Sequence, residues 1–103
     1  MKIVINTAWG GFGLSKEFYD YYKIPCDMYF GGIYHATEPW TQDIRKDPRV
    51  IEYIENFGSR AASGIYSYLE VVEIPKGTKY YIKEYDRAES IVTENDIEWE
   101  VAD

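Results

Sequence analysis

One cysteine, one histidine and no long apolar run set the first limits on this chain of 103 residues. Cys26 alone cannot close an internal disulfide or build a cysteine metal site, and it reads as a small half-buried apolar residue. His35 has no second histidine to work with, so a histidine-based metal or relay site has no starting point. No stretch approaches the roughly 20 apolar residues of a membrane span. Lys2 is followed by only three apolar residues before Asn6, which does not read as a signal peptide. The expectation is a cytosolic protein with no membrane contact. Positive charge is scarce as well: 11 Lys and Arg stand against 18 Asp and Glu, a formal charge of −7. Such a surface repels a nucleic-acid backbone, so general DNA or RNA binding is not expected. A local cluster of arginines and backbone N–H groups can still hold a small anion.

The excess is aromatic. Eleven tyrosines and three tryptophans are more than the core of one small domain needs. Tyrosine combines large area, a hydroxyl and few rotatable bonds, which suits interfaces and base-stacking pockets. It also coats twisted sheets, and that plainer reading covers many of the eleven.

Periodicity gives a coarse order of elements. Lys2 to Thr7 reads as a strand with a continuous apolar centre, hence a buried one. Ser15 can cap a helix over 16–23, with Phe18, Tyr21 and Tyr22 on one face and Pro25 ending it. From Pro25 to Ile44 no period is sustained, and the stretch reads as a loop at about 25–44. Asp47-Pro48 opens a second helix as N-cap and first residue; Val50, Ile51, Tyr53, Ile54 and Phe57 form its stripe, and Gly58 stops it. A polar link over 59–64 follows. Tyr66 to Ile74 then reads as a strand, Pro75 to Thr78 as a turn, and Lys79 to Tyr85 as the partner strand, with shorter candidates at 90–93 and 97–101. The expectation is a single α+β domain over 1–103: a mainly antiparallel sheet with two helices packed on one side.

Several motifs carry a resemblance. The opening runs Met1-Lys2-Ile3-Val4-Ile5-Asn6 into Gly10-Gly11-Phe12-Gly13-Leu14-Ser15. Arg45-Lys46-Asp47-Pro48, Gly58, Ser63-Gly64, Val71-Val72-Glu73-Ile74-Pro75 and Glu84-Tyr85-Asp86, with Glu89 beyond, follow in order. Together these resemble a family of small bacteriophage and prophage proteins opening MKIVIN…GGF-x-LS, over about two thirds of the chain. The resemblance implies a phage origin, a setting in the host-cell cytoplasm and variability in the 25–44 loop; it implies no catalytic activity. Two departures stand out. Arg87 occupies the place of a family glycine after Glu-Tyr-Asp, and no His-Arg pair precedes Trp99.

The glycine turn lacks the Lys-Ser/Thr of a Walker loop and the spacing of a dinucleotide fingerprint. It serves either a sharp strand-to-helix turn or close approach to a ligand's oxygens at a helix N-terminus. Glu84, Asp86 and Glu89 could hold a metal or act as acid and base, and Glu84 and Asp86, two apart on a strand, are expected to converge. Exposed strand-edge carboxylates account for them equally well. No Ser-His-Asp or Cys-His arrangement is recognisable.

The candidate ligand site is therefore Trp9, Gly10, Gly11, Phe12, Gly13, Ser15, Tyr34, Trp40, Arg45, Arg49 and Arg60. The aromatic residues would stack a base, while the arginines around the second helix and the turn's N–H groups hold phosphates. No catalytic residue, cofactor or metal is assigned. The leading expectation is a non-catalytic phage counter-defence protein that sequesters a nucleotide-derived immune signal, working as a homo-oligomer that encloses its ligand. The alternative is an acidic antagonist that blocks a host defence protein by surface contact. A small metal-dependent hydrolase is the third reading.

Overall fold

The computed structural model describes residues 1–94; the strand expected at 97–101, and Trp99 with its approach, lie outside them. In chain order the elements are β1 (Lys2–Asn6), α1 (Lys16–Tyr21), β2 (Cys26–Tyr29), β3 (Ile33–Ala36), α2 (Pro48–Phe57), α3 (Ser59–Ala62), β4 (Leu69–Glu73), β5 (Tyr80–Tyr85) and β6 (Ala88–Thr93). Short 3₁₀ turns occupy Phe30–Gly32 and Ile44–Lys46. The class is α+β. Among the described residues all strand pairing is antiparallel, but it runs in three two-stranded ladders, β1–β4, β2–β3 and β5–β6, rather than in one sheet.

Three expectations need correction. β4 pairs with β1, from Lys2 opposite Glu73 to Asn6 opposite Leu69, and not with β5. The turn at 75–78 therefore connects two ladders instead of closing a hairpin. The β5 partner is β6, reached through Asp86 and Arg87. Second, the stretch read as a loop holds the β2–β3 hairpin, whose turn depends on Gly31 and Gly32 at φ 78° and 84°, a region open to glycine at little cost. Third, the polar link after Gly58 contains one turn of helix, α3.

The centre of β1 is buried on both faces, with Ile3, Val4 and Ile5 between 0 and 5% exposed. Val4 joins Leu14, Phe18, Val50, Ile54 and Leu69 in the main cluster between the helices and the β1–β4 ladder. Phe18 lies at its centre, with its ring 5.6 Å from Tyr53 and 5.4 Å from Tyr19 in edge-on contacts. Fully burying a side chain of that size stabilises by about 2–3 kcal/mol. β6 runs alongside β1, so the β5–β6 ladder is tied to the body at the end of β1.

α1 is shorter than expected and stops at Tyr21, with Tyr22 as its C-cap. Lys23 then turns left-handed (φ 55°), its N–H donating to Asp20 O at 3.2 Å while that of Ile24 donates to Tyr19 O at 2.9 Å. This pair of bonds closes the helix before Pro25. α2 follows its sequence signals closely. Asp47 accepts the Arg49 N–H at 2.9 Å, Pro48 sits in the first turn and Gly58 ends the helix.

Candidate functional site

The glycine turn packs against the segment between α3 and β4. A Cβ on Gly10 would lie 2.1 Å from Tyr66 O and 2.2 Å from Tyr66 Cβ, so only glycine fits at that approach. Gly13 O accepts from the Gly64 N–H at 3.0 Å and the Ser67 hydroxyl at 2.6 Å. Ser15 is buried; its hydroxyl accepts from Phe18 N at 3.2 Å and donates to Ala61 O at 2.6 Å. The Gly13 carbonyl and the Ser15 hydroxyl are thus taken by protein. Gly11 adopts φ 84° with open space where a Cβ would stand, and Trp9 projects outward, 65% exposed.

Arg45 also has another employment than the one expected of it. Its Nη2 is ion-paired to Glu89 Oε2, and its guanidinium lies over the Phe12 ring, 4.7 Å from the centroid. Arg45 Nη1 is buried without a hydrogen-bond partner among the described residues. Glu89 Oε1 accepts the Asn6 N–H at 2.8 Å. Asn6, wholly buried, spends its side chain on Arg87 O, Ala8 O, and the N–H groups of Ala8 and Tyr68. Asn6, Glu89 and Arg45 therefore form a polar chain joining β1, β6 and the entry to α2.

The expected convergence of Glu84 with Asp86 on one strand face fails because β5 ends at Tyr85. Asp86 lies in the β5–β6 turn at φ 50°, off the strand, and Glu84 faces Glu89 across the ladder. Glu89 is turned to Arg45 and Asn6, and no group of three metal-ligating side chains occurs among the described residues.

At the N-terminus of α2 the anion present is the protein's own. Asp47, 1% exposed, takes the Arg49 side chain bidentately, Nε to Oδ1 at 3.1 Å and Nη2 to Oδ2 at 2.9 Å. Burial alone would raise the Asp47 carboxyl. The hydrogen bonds and charge of Arg49 outweigh it and hold the group below the ordinary carboxylate value. The Arg49 guanidinium also lies 5.4 Å from the Trp40 ring centroid. Arg60 stands exposed on α3.

Two open clefts flank Trp40. The larger, about 410 Å³, is lined by Tyr22, Lys23, Glu38, Trp40, Gln42 and Arg49 among others. The second, about 340 Å³, takes Phe12, Gly13, Tyr19, Tyr34, His35 and Trp40 into its wall. Ala36, Glu38, Pro39 and Trp40 belong to both, so the clefts share a wall. One side offers aromatic surface and the other two cations. Burial and the Glu52 carboxylate, which accepts the Tyr22 hydroxyl at 3.1 Å, push the Tyr22 phenol up to about 12, so it stays neutral.

The structure thus gathers Phe12, Gly13, Tyr34, Trp40 and Arg49 from the expected site along this double cleft. Trp9, Gly10, Gly11, Ser15, Arg45 and Arg60 are placed elsewhere or committed to the fold. Sequence reasoning missed Lys23 and Glu38. Lys23 had a partial signal: a helix ended by Pro25 often closes through a left-handed residue shortly before the proline. Glu38, in a stretch without periodicity, had none. Compared with family models, curated proteins and solved structures, the chain matches none. No helix among the described residues is long and apolar enough to cross a membrane.

Proposed function

We propose that this protein binds and sequesters a small nucleotide-type ligand without converting it, as a phage counter-defence sponge. The observation that carries the reading is the shared wall at Trp40: aromatic surface from Phe12 and Tyr34 on one side, Lys23 and Arg49 on the other. A base needs the first environment and a phosphate the second. The phage origin comes from the sequence resemblance alone. In this reading the ligand lies along the double cleft against Phe12 and Gly13, while Gly10, Gly11 and Arg45 hold the turn from behind. A second copy of the chain would enclose more of the ligand, since both clefts are open.

The test is native mass spectrometry of the protein with cyclic oligonucleotides and ADP-ribose compounds. A stoichiometric adduct of unmodified mass is expected. A ligand-free spectrum across the panel overturns the reading, and a mass shift to product replaces sequestration with catalysis.

A second reading has its own observation. Trp9, Ile65, Tyr66 and Tyr68 are 41–65% exposed, and the contact of Gly10 with Tyr66 brings the two segments together. An apolar, tyrosine-rich surface of that kind suits an antagonist of a host protein. Trp9→Ala would then abolish capture of the host protein and leave small-molecule binding intact.

A further inference from the structure

We infer that Lys23 and Arg49 make the larger cleft the phosphate-reading end of the site, with Glu38 reading sugar hydroxyls, so that the ligand class is a ribose phosphate. The assignment rests on the ligand-binding reading above and adds to it a residue, Lys23, and an orientation.

The first observation is in the backbone. Lys23 adopts φ 55° at the position after the α1 cap, where glycine is the usual occupant because a Cβ is crowded there. A lysine kept at a strained position on the lip of a cleft points to a use for its side chain. No ion pair with a carboxylate accounts for it among the described residues. Its ammonium is available to a ligand.

The second observation concerns Arg49. Asp47 engages Nε and Nη2 and the guanidinium lies over Trp40, which fixes the side chain before any ligand arrives. Nη1 is the end of the fork left for a ligand oxygen. A cation already immobilised loses little freedom on binding, whereas a free lysine or arginine does. Arg49 and Lys23 line the same cleft, so one fixed and one mobile cation serve a single anion.

Glu38 lines that cleft too and would repel an anion placed beside it. A carboxylate accepts hydrogen bonds from vicinal hydroxyls, however, and a ribose presents them next to its phosphate. The combination selects against bare inorganic phosphate and in favour of a phosphorylated sugar.

The experiment compares adenosine with adenosine 5′-monophosphate by titration calorimetry, on the native protein, Lys23→Gly and Lys76→Ala, a control that removes one positive charge at the β4–β5 turn, which lines neither cleft. On the native protein the monophosphate is expected to bind about tenfold or more tighter than adenosine, the range of one or two charge-assisted hydrogen bonds. Lys23→Gly should remove about tenfold of that preference and leave adenosine unchanged, while Tm rises by about 2–5 °C as the backbone strain is relieved. Lys76→Ala should match the native protein. Loss of binding together with a gain in stability separates a ligand contact from a structural role. Equal affinity for the two compounds, or a Lys23→Gly variant with native preference for the monophosphate, overturns the inference and leaves the binding reading standing. If neither compound binds the native protein, both fall for this ligand class.

Discussion

The Asn6 N–H donates to Glu89 Oε1 at 2.8 Å, joining residues 83 apart in sequence, and the other oxygen of that carboxylate holds Arg45. The Glu89 side chain is 8% exposed and that of Arg45 23%, so the pair is largely withdrawn from water. Removing one member strands the other and loses the bond from Asn6. Glu89→Ala is expected to cost about 2–4 kcal/mol, read as a lowered denaturation midpoint at unchanged slope. Replacing both members by apolar residues, Arg45→Met with Glu89→Leu, should recover most of that loss. A Glu89→Ala variant as stable as the native protein would mean that the chain from β1 to α2 contributes nothing.

The glycine turn offers a sharp contrast between neighbours. Gly10→Ala places a methyl group 2.1 Å from the Tyr66 carbonyl oxygen, so backbone must move. The expected loss is about 2–4 kcal/mol. Gly11→Ala meets no atom within 4 Å and is disfavoured only by its φ of 84°. That change should cost about 1 kcal/mol. Thermal unfolding of the two variants checks the order, and equal losses would sink the packing account of the turn.

Asp86 and Arg87 connect β5 to β6 with φ 50° and 69°, the two left-handed residues of a tight hairpin turn. Asp tolerates that region; arginine does not gain from it. Glycine, which reaches positive φ at little cost, is the residue such a turn prefers at the place of Arg87. Arg87→Gly should stabilise by about 0.5–1 kcal/mol, because the carbonyl that accepts from Asn6 is retained. A fall in Tm would show that the arginine side chain does more for the hairpin than its backbone strain takes away.

What could be read in advance follows the physics of each signal. The second helix was legible because Asp47, Pro48 and Gly58 act locally and its apolar stripe faces a core. The β2–β3 hairpin was not: Asp27, Met28 and Tyr29 are all exposed, so the strand has no inward–outward alternation to read. The partner of β4 was misread because a Pro-Lys-Gly-Thr turn looks like a hairpin whatever the strands beyond it do; pairing with β1 is a non-local choice made by the core. Of the expected site, Tyr34, Trp40 and Arg49 fall along the double cleft. Arg45 does not, because its counter-ion lies 44 residues away. No spacing rule could find that partner.

Asp47 makes the pH dependence of the fold predictable. Its carboxylate caps α2 and binds Arg49 bidentately, and those contacts, working against the effect of burial, depress its pKa in the folded state below the usual value of 3.8. A depressed folded-state pKa means that the unfolded chain takes up the proton first as the pH falls. The stabilisation is therefore complete above the unfolded-state value near 4, and is lost progressively as the pH drops through the folded-state value beneath it. Asp47→Ala removes the cap and frees Arg49, for an expected loss of about 1–3 kcal/mol at neutral pH. Its stability curve should be flatter than the native one below pH about 4, because the group that titrates there has gone. Urea titrations of both proteins at a series of pH values check this. Parallel curves across the acid range would show that Asp47 has the same proton affinity folded and unfolded, and that Arg49 is held beside Trp40 by something other than this carboxylate.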